Sequence, residues 1–266
     1  MDETRKRELL SGLVAEFCAE RGTRPPLSAD APTEDLFSLF RALANTREPG
    51  LPDAAVLDAQ DELLRGLIAE AGIHGIDEAL LSPVDARLRL WRGDITTLAA
   101  DAIVNAANSQ MLGCWVPGHF CIDNAIHTFA GIQLRAECAR LMEEQGFEEP
   151  TGRAKVTPAY NLPARFIIHT VGPIANGRPS AQHCRQLALC YESCLGAADE
   201  LGVQSLAFCC ISTGVFGFPQ RQAAEIAQTA VRAWLDAHPQ TSLSCVIFNV
   251  FGEADEAIYR DLLGLA

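Results

Sequence analysis

The sequence predicts an α/β protein of three layers, with helices on both faces of a mixed central sheet and a helical N-terminal extension over residues 1–82. Three observations carry this. From residue 83 to 266, short apolar strand-like runs alternate with longer helical stretches, which calls for a sheet covered on both faces. The runs Arg153 to Pro158 and Phe166 to Thr170 are too closely spaced for a helical crossover, so the sheet is mixed rather than wholly parallel. Before residue 83, apolar residues recur at helical spacing. A chain of 266 residues accommodates one large domain with such an extension.

Taken in order, Leu9, Leu10, Leu13, Val14 and Phe17 form one helical face, which Arg21-Gly22 and Pro25-Pro26 terminate. A second helix is expected from Glu34 to Ala44 and a third from about Ala54 to Ala71, with Leu57, Leu64, Leu67 and Ile68 on one side. This region carries no chemical motif, and packing is its expected role. Ala86 to Trp91 alternates like a half-buried strand, a short helix follows Gly93-Asp94, and Ala102 to Val104 reads as a buried strand opening into an Asn-rich loop. A helix starts near Asp123, breaks near Gly131 and resumes through Leu141. Helices are expected over Gln182–Leu201 and Gln220–His238 and from Glu253 onward. Strands are expected over Ser205–Cys210 and Ser244–Asn249.

The 34 acidic against 21 basic residues give a net charge of −13, which argues against a nucleic-acid partner. A small anion remains possible through backbone N–H groups and helix N-termini, which need no net positive charge. No run is apolar enough to span a bilayer, and the N-terminal residues lack a signal-peptide core. The ten cysteines show no secreted framework; Cys190, Cys194, Cys209, Cys210 and Cys245 fall in apolar patterns and read as reduced core thiols. A cytoplasmic location follows.

Four loops hold the candidate chemistry. Cys114, His119 and Cys121 form a C-x4-H-x-C cluster in a Gly- and Pro-rich loop, a donor set suited to zinc with a fourth position left open. Asp123, two residues on, either caps the helix it begins or orients a water or sugar hydroxyl beside that position. Asp94 either caps the short helix or accepts a hydrogen bond from a base amine, and locally the cap is the simpler reading. Asn105 and Asn108 either satisfy their own turn or hold ribose hydroxyls. In the run Ile211 to Pro219, Gly214 and Gly217 let backbone amides approach a phosphate, although the loop matches no named nucleotide fingerprint. His127 is either a further metal ligand or, as its place after a helical segment favours, a packed helix residue, and His169 reads as a structural imidazole.

Together the segments GDITTLAADAIVNAAN, IDNAIHTFAG, TGRAKVTPAYNLPARFIIHTVGP and CISTGVFGFP resemble the macrodomain family of ADP-ribose-binding modules, in order from about Leu88 to the C-terminus. Where many hydrolytic macrodomains carry a run of glycines, GCWVPGHFC stands instead. It resembles the zinc-containing microbial branch, as does the helical extension. The resemblance implies a macrodomain over residues 83–266 that binds ADP-ribose. Asp94 and the Ile95 backbone would take the adenine, and Asn105 and Asn108 would face the distal ribose. Ser212, Thr213, Gly214, Val215 and Phe216 would wrap the diphosphate, and Phe251 would lie near the adenine. It also implies Zn2+ on Cys114, His119 and Cys121 beside the distal ribose, with Asp123 and Asn108 as the catalytic pair. The expected activity is removal of mono-ADP-ribose from a modified protein side chain, with ADP-ribose as product and a lipoyl-carrier-like protein as one implied substrate. The alternatives are a non-catalytic ADP-ribose reader and a hydrolase of small ADP-ribose derivatives.

Overall fold

The computed structural model describes residues 1–265. Three helices open the chain: α1 (Glu3–Glu20), α2 (Thr33–Asn45) and α3 (Ala54–Ala71). Asp2 caps α1 by accepting from the Arg5 amide at 2.8 Å. Their apolar faces close on one another around Leu10, Phe17, Phe40, Leu63 and Leu64, all essentially buried. Each such side chain contributes roughly 1.5–3 kcal/mol by leaving water, enough for a three-helix unit to have its own small core.

The helical expectation for residues 1–82 fails over its last eleven residues. His74–Gly75 forms β1, a 3-10 turn covers Ile76–Glu78, and Leu80–Leu81 forms β2. Gly72, at φ 93°, ends α3, and Gly75 three residues on interrupts the apolar spacing of Ile73, Ile76 and Leu80 before a helix can resume. The later strands are β3 (Leu88–Arg92), β4 (Leu98–Ala99), β5 (Ala102–Ala107), β6 (Ala154–Pro158), β7 (Phe166–Val171), β8 (Ser205–Phe208) and β9 (Cys245–Val250). β1 pairs with β4, and the remaining seven form one sheet in the order β2-β3-β9-β8-β5-β7-β6. Its five inner strands run parallel, and β2 and β6 run antiparallel at the edges. β9 is buried at all six positions, as a parallel strand covered on both faces should be.

Strand β3 starts two residues later than its alternation suggests. The Asp85 carboxylate accepts from the Arg87 amide and the Asp85 carbonyl from the Leu88 amide, which makes residues 85–87 a turn. The other helices are α4 (Ile122–Ala130), α5 (Ile132–Gln145), α6 (Ala181–Glu200), α7 (Gln220–Ala237) and α8 (Glu253–Leu262). Gly131, at φ 102°, separates α4 from α5, where a Cβ would meet Gln60, Gln133 and Asn161. Phe129 of α4 packs against both the sheet core and the core of the extension. No helix among the described residues is long and apolar enough to cross a membrane.

Candidate active site

Strands β3, β9, β8 and β5 are neighbours in that order and run parallel, so the loops that leave their carboxyl ends share one edge of the sheet. That edge is where ligands bind in open α/β sheets. It carries, in turn, Asp94 after β3, Phe251 after β9, Ser212 to Phe216 after β8, and Asn108 with the cysteine loop after β5. Four segments scattered through the sequence thereby become a continuous row.

At one end, Asp94 caps the 3-10 turn Ile95–Thr97, accepting from the Thr96 amide at 2.9 Å and the Thr96 hydroxyl at 2.7 Å, yet stays exposed. Capping and ligand binding are therefore compatible for one carboxylate. Ile95 is buried, and its carbonyl accepts from the Leu98 amide to close the turn. Asn249 donates to the Gly93 carbonyl at 2.9 Å, tying this turn to the end of β9, where Phe251 is 81 % exposed. A cavity of about 530 Å³ lies beside Asp94, lined by His74, Glu78, Trp91 and Glu256 among others. None of its lining residues comes from the loops after β5 or β8, so this cavity is not where the cysteine loop is.

In the middle, Ser212 adopts φ 66° and is buried against Gly172, where a Cβ would fall 2.1 Å from the Ser212 hydroxyl. The Phe218 amide donates to the Ser212 carbonyl and the Gly217 amide to that of Gly214. Among the described residues, the amides of Gly214, Val215 and Phe216 find no protein acceptor. Free, adjacent N–H groups ahead of α7 form an anion cradle.

At the far end the Cys/His loop joins Asn108 to α4. The Asn108 amide donates to the Gly113 carbonyl at 3.1 Å and lies 3.4 Å from Asp123 Oδ2. Asp123 is 5 % exposed, and burial pushes its carboxyl up to about 6 against the opposing pull of Asn105 and Arg135. Cys121, not Asp123, caps α4, its sulfur accepting from the Asn124 amide at 3.4 Å. Cys114 Sγ lies 3.5 Å from His119 Nδ1, and the donor atoms of Cys114, His119 and Cys121 all fall within 4.8 Å of one another. Burial drives the Cys121 thiol up to about 12, so a thiolate there needs a cation beside it. The set of two sulfurs and one imidazole thus fits a zinc ion in chemistry and in spacing.

Asn105 corrects the sequence expectation. It lies inside β5 rather than in the loop and is 0 % exposed, so it has no surface to offer a sugar. Its Nδ2 donates to Asp123 Oδ1 at 2.8 Å and approaches His169 Nδ1 at 3.1 Å. The strand continues to Ala107 because β7 pairs with β5 through that residue, a partner invisible in local sequence. His169 Nε2 meets the Thr157 hydroxyl at 2.9 Å, so both ring nitrogens are engaged, and burial holds the imidazole neutral with a pKa lowered to about 3. His127 packs beneath Gly113 with Nε2 3.6 Å from Asp123 Oδ1. Sequence reasoning also missed Arg135, whose Nε donates to the Leu112 carbonyl at 2.7 Å and whose guanidinium lies 4.3 Å from the Trp115 ring centre. Nothing in its local sequence distinguishes it from a surface helix arginine.

The fold is an open mixed α/β sheet with free main-chain amides and an acidic turn on one edge, and comparison with known proteins narrows the class. The macro domain family model matches residues 104–227. A Treponema medium protein named protein-ADP-ribose hydrolase is 53 % identical over 229 residues, covering 85 % of this chain and 86 % of that one. A Staphylococcus aureus (strain MSSA476) protein of the same name is 46 % identical over 255 residues, covering 95 % and 94 %. Among solved structures, the Trypanosoma brucei macrodomain in complex with ADP-ribose is 32 % identical with a TM-score of 0.62, covering 84 % of this chain and 95 % of that one. The Oceanobacillus iheyensis macrodomain with ADP is 38 % identical with a TM-score of 0.60, covering 66 % and 90 %. The chain belongs to the macrodomain family.

Proposed function

We propose that this protein is a zinc-dependent hydrolase that releases mono-ADP-ribose from modified protein side chains. One observation carries the reading: the loop from Asn108 to Asp123 also bears Cys114, His119 and Cys121, gathered within 4.8 Å. The name borne by relatives 53 % and 46 % identical supports the same activity.

In this reading Asp94, the Ile95 main chain and Phe251 receive the adenine, and the free amides of Gly214, Val215 and Phe216 receive the diphosphate, with Ser212 and Thr213 shaping the turn. Asn108 fixes the distal ribose. The bond broken joins the anomeric carbon to a side-chain oxygen or nitrogen of the target. Water adds its oxygen to that carbon and its proton ends on the departing side chain, yielding ADP-ribose and the unmodified protein. The transition state carries oxocarbenium character. Asp123, mostly ionised at pH 7 with a carboxyl near 6, accepts a hydrogen bond from the attacking water or a ribose hydroxyl and sits close to the charge that develops on the sugar. Asn105 holds that carboxylate from behind, donating from Nδ2 to Oδ1. Cys114, His119 and Cys121 would hold a zinc ion, which would supply Lewis acidity toward a hydroxyl or water.

The substrate is a protein ADP-ribosylated on a side chain, with an ester to an acidic residue as the preferred linkage and a lipoyl-carrier-like protein as the first to test. We place the reaction in the cytoplasm, where ten free cysteines stay reduced. The test is incubation with proteins ADP-ribosylated on acidic, serine or arginine side chains, with and without a zinc chelator. Chelator-sensitive release of ADP-ribose is expected. Tight ADP-ribose binding with no release would make the chain a reader, and turnover only on free ADP-ribose esters would make it a small-molecule hydrolase.

A further inference from the structure

We propose that the helical extension completes the metal site, with Arg41 and Asn45 of α2 as positioning residues for the three donors. The inference rests on the reading that Cys114, His119 and Cys121 hold a metal. Arg41 Nη2 donates to the carbonyl of His119, one of the donors, at 3.0 Å. The same guanidinium grips Asn124 Oδ1 from Nη2 at 2.7 Å and Nε at 3.0 Å, and lies 5.5 Å from the ring centre of Phe120. Asn124 is fully buried, and its own amide is the group that donates to Cys121 Sγ, while its Nδ2 donates to the Val116 carbonyl at 3.2 Å. One arginine therefore reaches His119 directly and Cys121 through one intermediary.

One turn further along α2, Asn45 Oδ1 accepts from the Gly118 amide at 3.4 Å, and its Nδ2 donates to Thr128 on α4 at 3.0 Å. The end of the helix governs the other side of the loop as well. The carbonyls of Ala44 and Arg47 accept from Arg135 Nη1 at 3.2 and 2.7 Å, and Arg135 is the residue that holds Leu112 and stacks on Trp115. The extension thus acts, directly or through one residue, at positions 112, 115, 116, 118, 119, 120 and 121.

The loop needs this external hold. It contains no regular secondary structure, and in the stretch that bears the donors Val116 and Phe120 are exposed, Phe120 to 94 %. Ordering each residue costs about 1–2 kcal/mol of backbone entropy, which an unpacked loop cannot recover from its own contacts. Groups that orient metal ligands are worth about 10–100-fold in metal affinity. Arg41 is suited to this role because its planar fork engages two acceptors at once, which a lysine cannot reproduce.

The test compares the wild-type chain with Arg41→Met, Arg41→Lys, Asn45→Ala and Cys114→Ser. Zinc content, the rate of zinc transfer to a chromogenic chelator, thermal melting and ADP-ribose calorimetry are measured on each. Amide hydrogen exchange over residues 112–121 is measured in the zinc-free proteins. Wild type should carry one zinc and Cys114→Ser none. Arg41→Met should lose zinc about 10–100-fold faster, Asn45→Ala less so, and Arg41→Lys should recover only part of the loss. Exchange over residues 112–121 should rise in Arg41→Met even without metal, while melting and ADP-ribose affinity stay close to wild type. Wild-type zinc retention and exchange in both Arg41→Met and Asn45→Ala would overturn the proposal. A wild-type chain that binds no zinc would overturn the metal reading instead, leaving the exchange data to decide whether α2 orders the loop. If Arg41→Met fails to fold, Asn45→Ala and Arg41→Lys carry the same comparison.

Discussion

Asn108 and Asp123 stand 15 positions apart in the chain, yet the Asn108 amide lies 3.4 Å from the Asp123 carboxylate, with the entire Cys/His loop strung between them. The pair closes the base of that loop, so the two side chains report on each other's position.

Replacing Asp123 with Asn keeps the shape and removes the charge. Turnover on an ADP-ribosylated protein should fall about 10²–10⁴-fold, with ADP-ribose affinity little changed in calorimetry. An undiminished rate would remove Asp123 from the reaction. The wild-type rate should also decline on the acid side as the carboxyl, raised to about 6, takes up its proton.

Cys114→Ala or Cys121→Ala should abolish both zinc and turnover while leaving the far-ultraviolet circular dichroism intact. Metal-free variants with full rates would end the catalytic role of the metal. Global unfolding would mark the site as structural.

Gly172→Ala tests the anion cradle from outside it. The new Cβ would sit 2.1 Å from the Ser212 hydroxyl and 2.8 Å from Ile211 Cγ2, so the turn that presents the free amides must shift. Affinity for ADP should drop by about tenfold or more, which is about 1.4 kcal/mol. Unchanged affinity would show that the diphosphate does not rely on this turn.

Phe251→Ala probes the opposite end. The side chain is 81 % exposed, so melting should move little, while ADP-ribose affinity should weaken by about 0.5–1.5 kcal/mol through lost ring stacking. Equal loss of stability and affinity would argue for a packing role.

The buried imidazoles set a pH dependence of stability. His169 has a folded pKa of about 3 against an unfolded value near 6.5, so below pH 6.5 the unfolded chain binds a proton that the native state refuses. Its contribution is complete above about pH 6.5 and is lost as pH falls, by about 1.4 kcal/mol per unit. His127, also pushed down by burial, acts in the same direction. Asp123 opposes them between about pH 6 and 4, because its raised carboxyl favours the native state on protonation. Two imidazoles against one carboxyl predict net destabilisation from pH 6.5 to 4.5. Denaturant melts showing a flat profile over that interval would contradict this balance.

Much of this was legible in the sequence, for identifiable reasons. The three helices of the extension are set by local periodicity and by Gly and Pro at their ends, and both survive folding unchanged. The Cys/His cluster lies within eight residues, so proximity in sequence became proximity in space. What escaped depends on partners far along the chain. Asn105 looked like a loop residue because β7, which extends its strand, lies more than sixty residues away. β1 and β2 are two residues each, too short for alternation to reveal. Arg41 and Arg135 are ordinary helix arginines until the fold brings carbonyls to them. The free amides of Gly214 to Phe216 are a property of backbone geometry, which a Gly-containing turn permits but does not specify.

Phe129 belongs to two hydrophobic clusters at once, and Ile132, just past Gly131, is counted in the core of the extension. The helix that carries Asp123 therefore has no free outer face. Anyone trimming this protein to a minimal macrodomain by starting it near Pro83 would leave an oily seam at Phe129 and Ile132, at the end of the helix that carries Asp123. Such a fragment calls for polar substitutions at both positions before it is concentrated, and those substitutions alter the backing of the very helix under study. Extension and carboxylate are one inheritance, to be grafted or redesigned together.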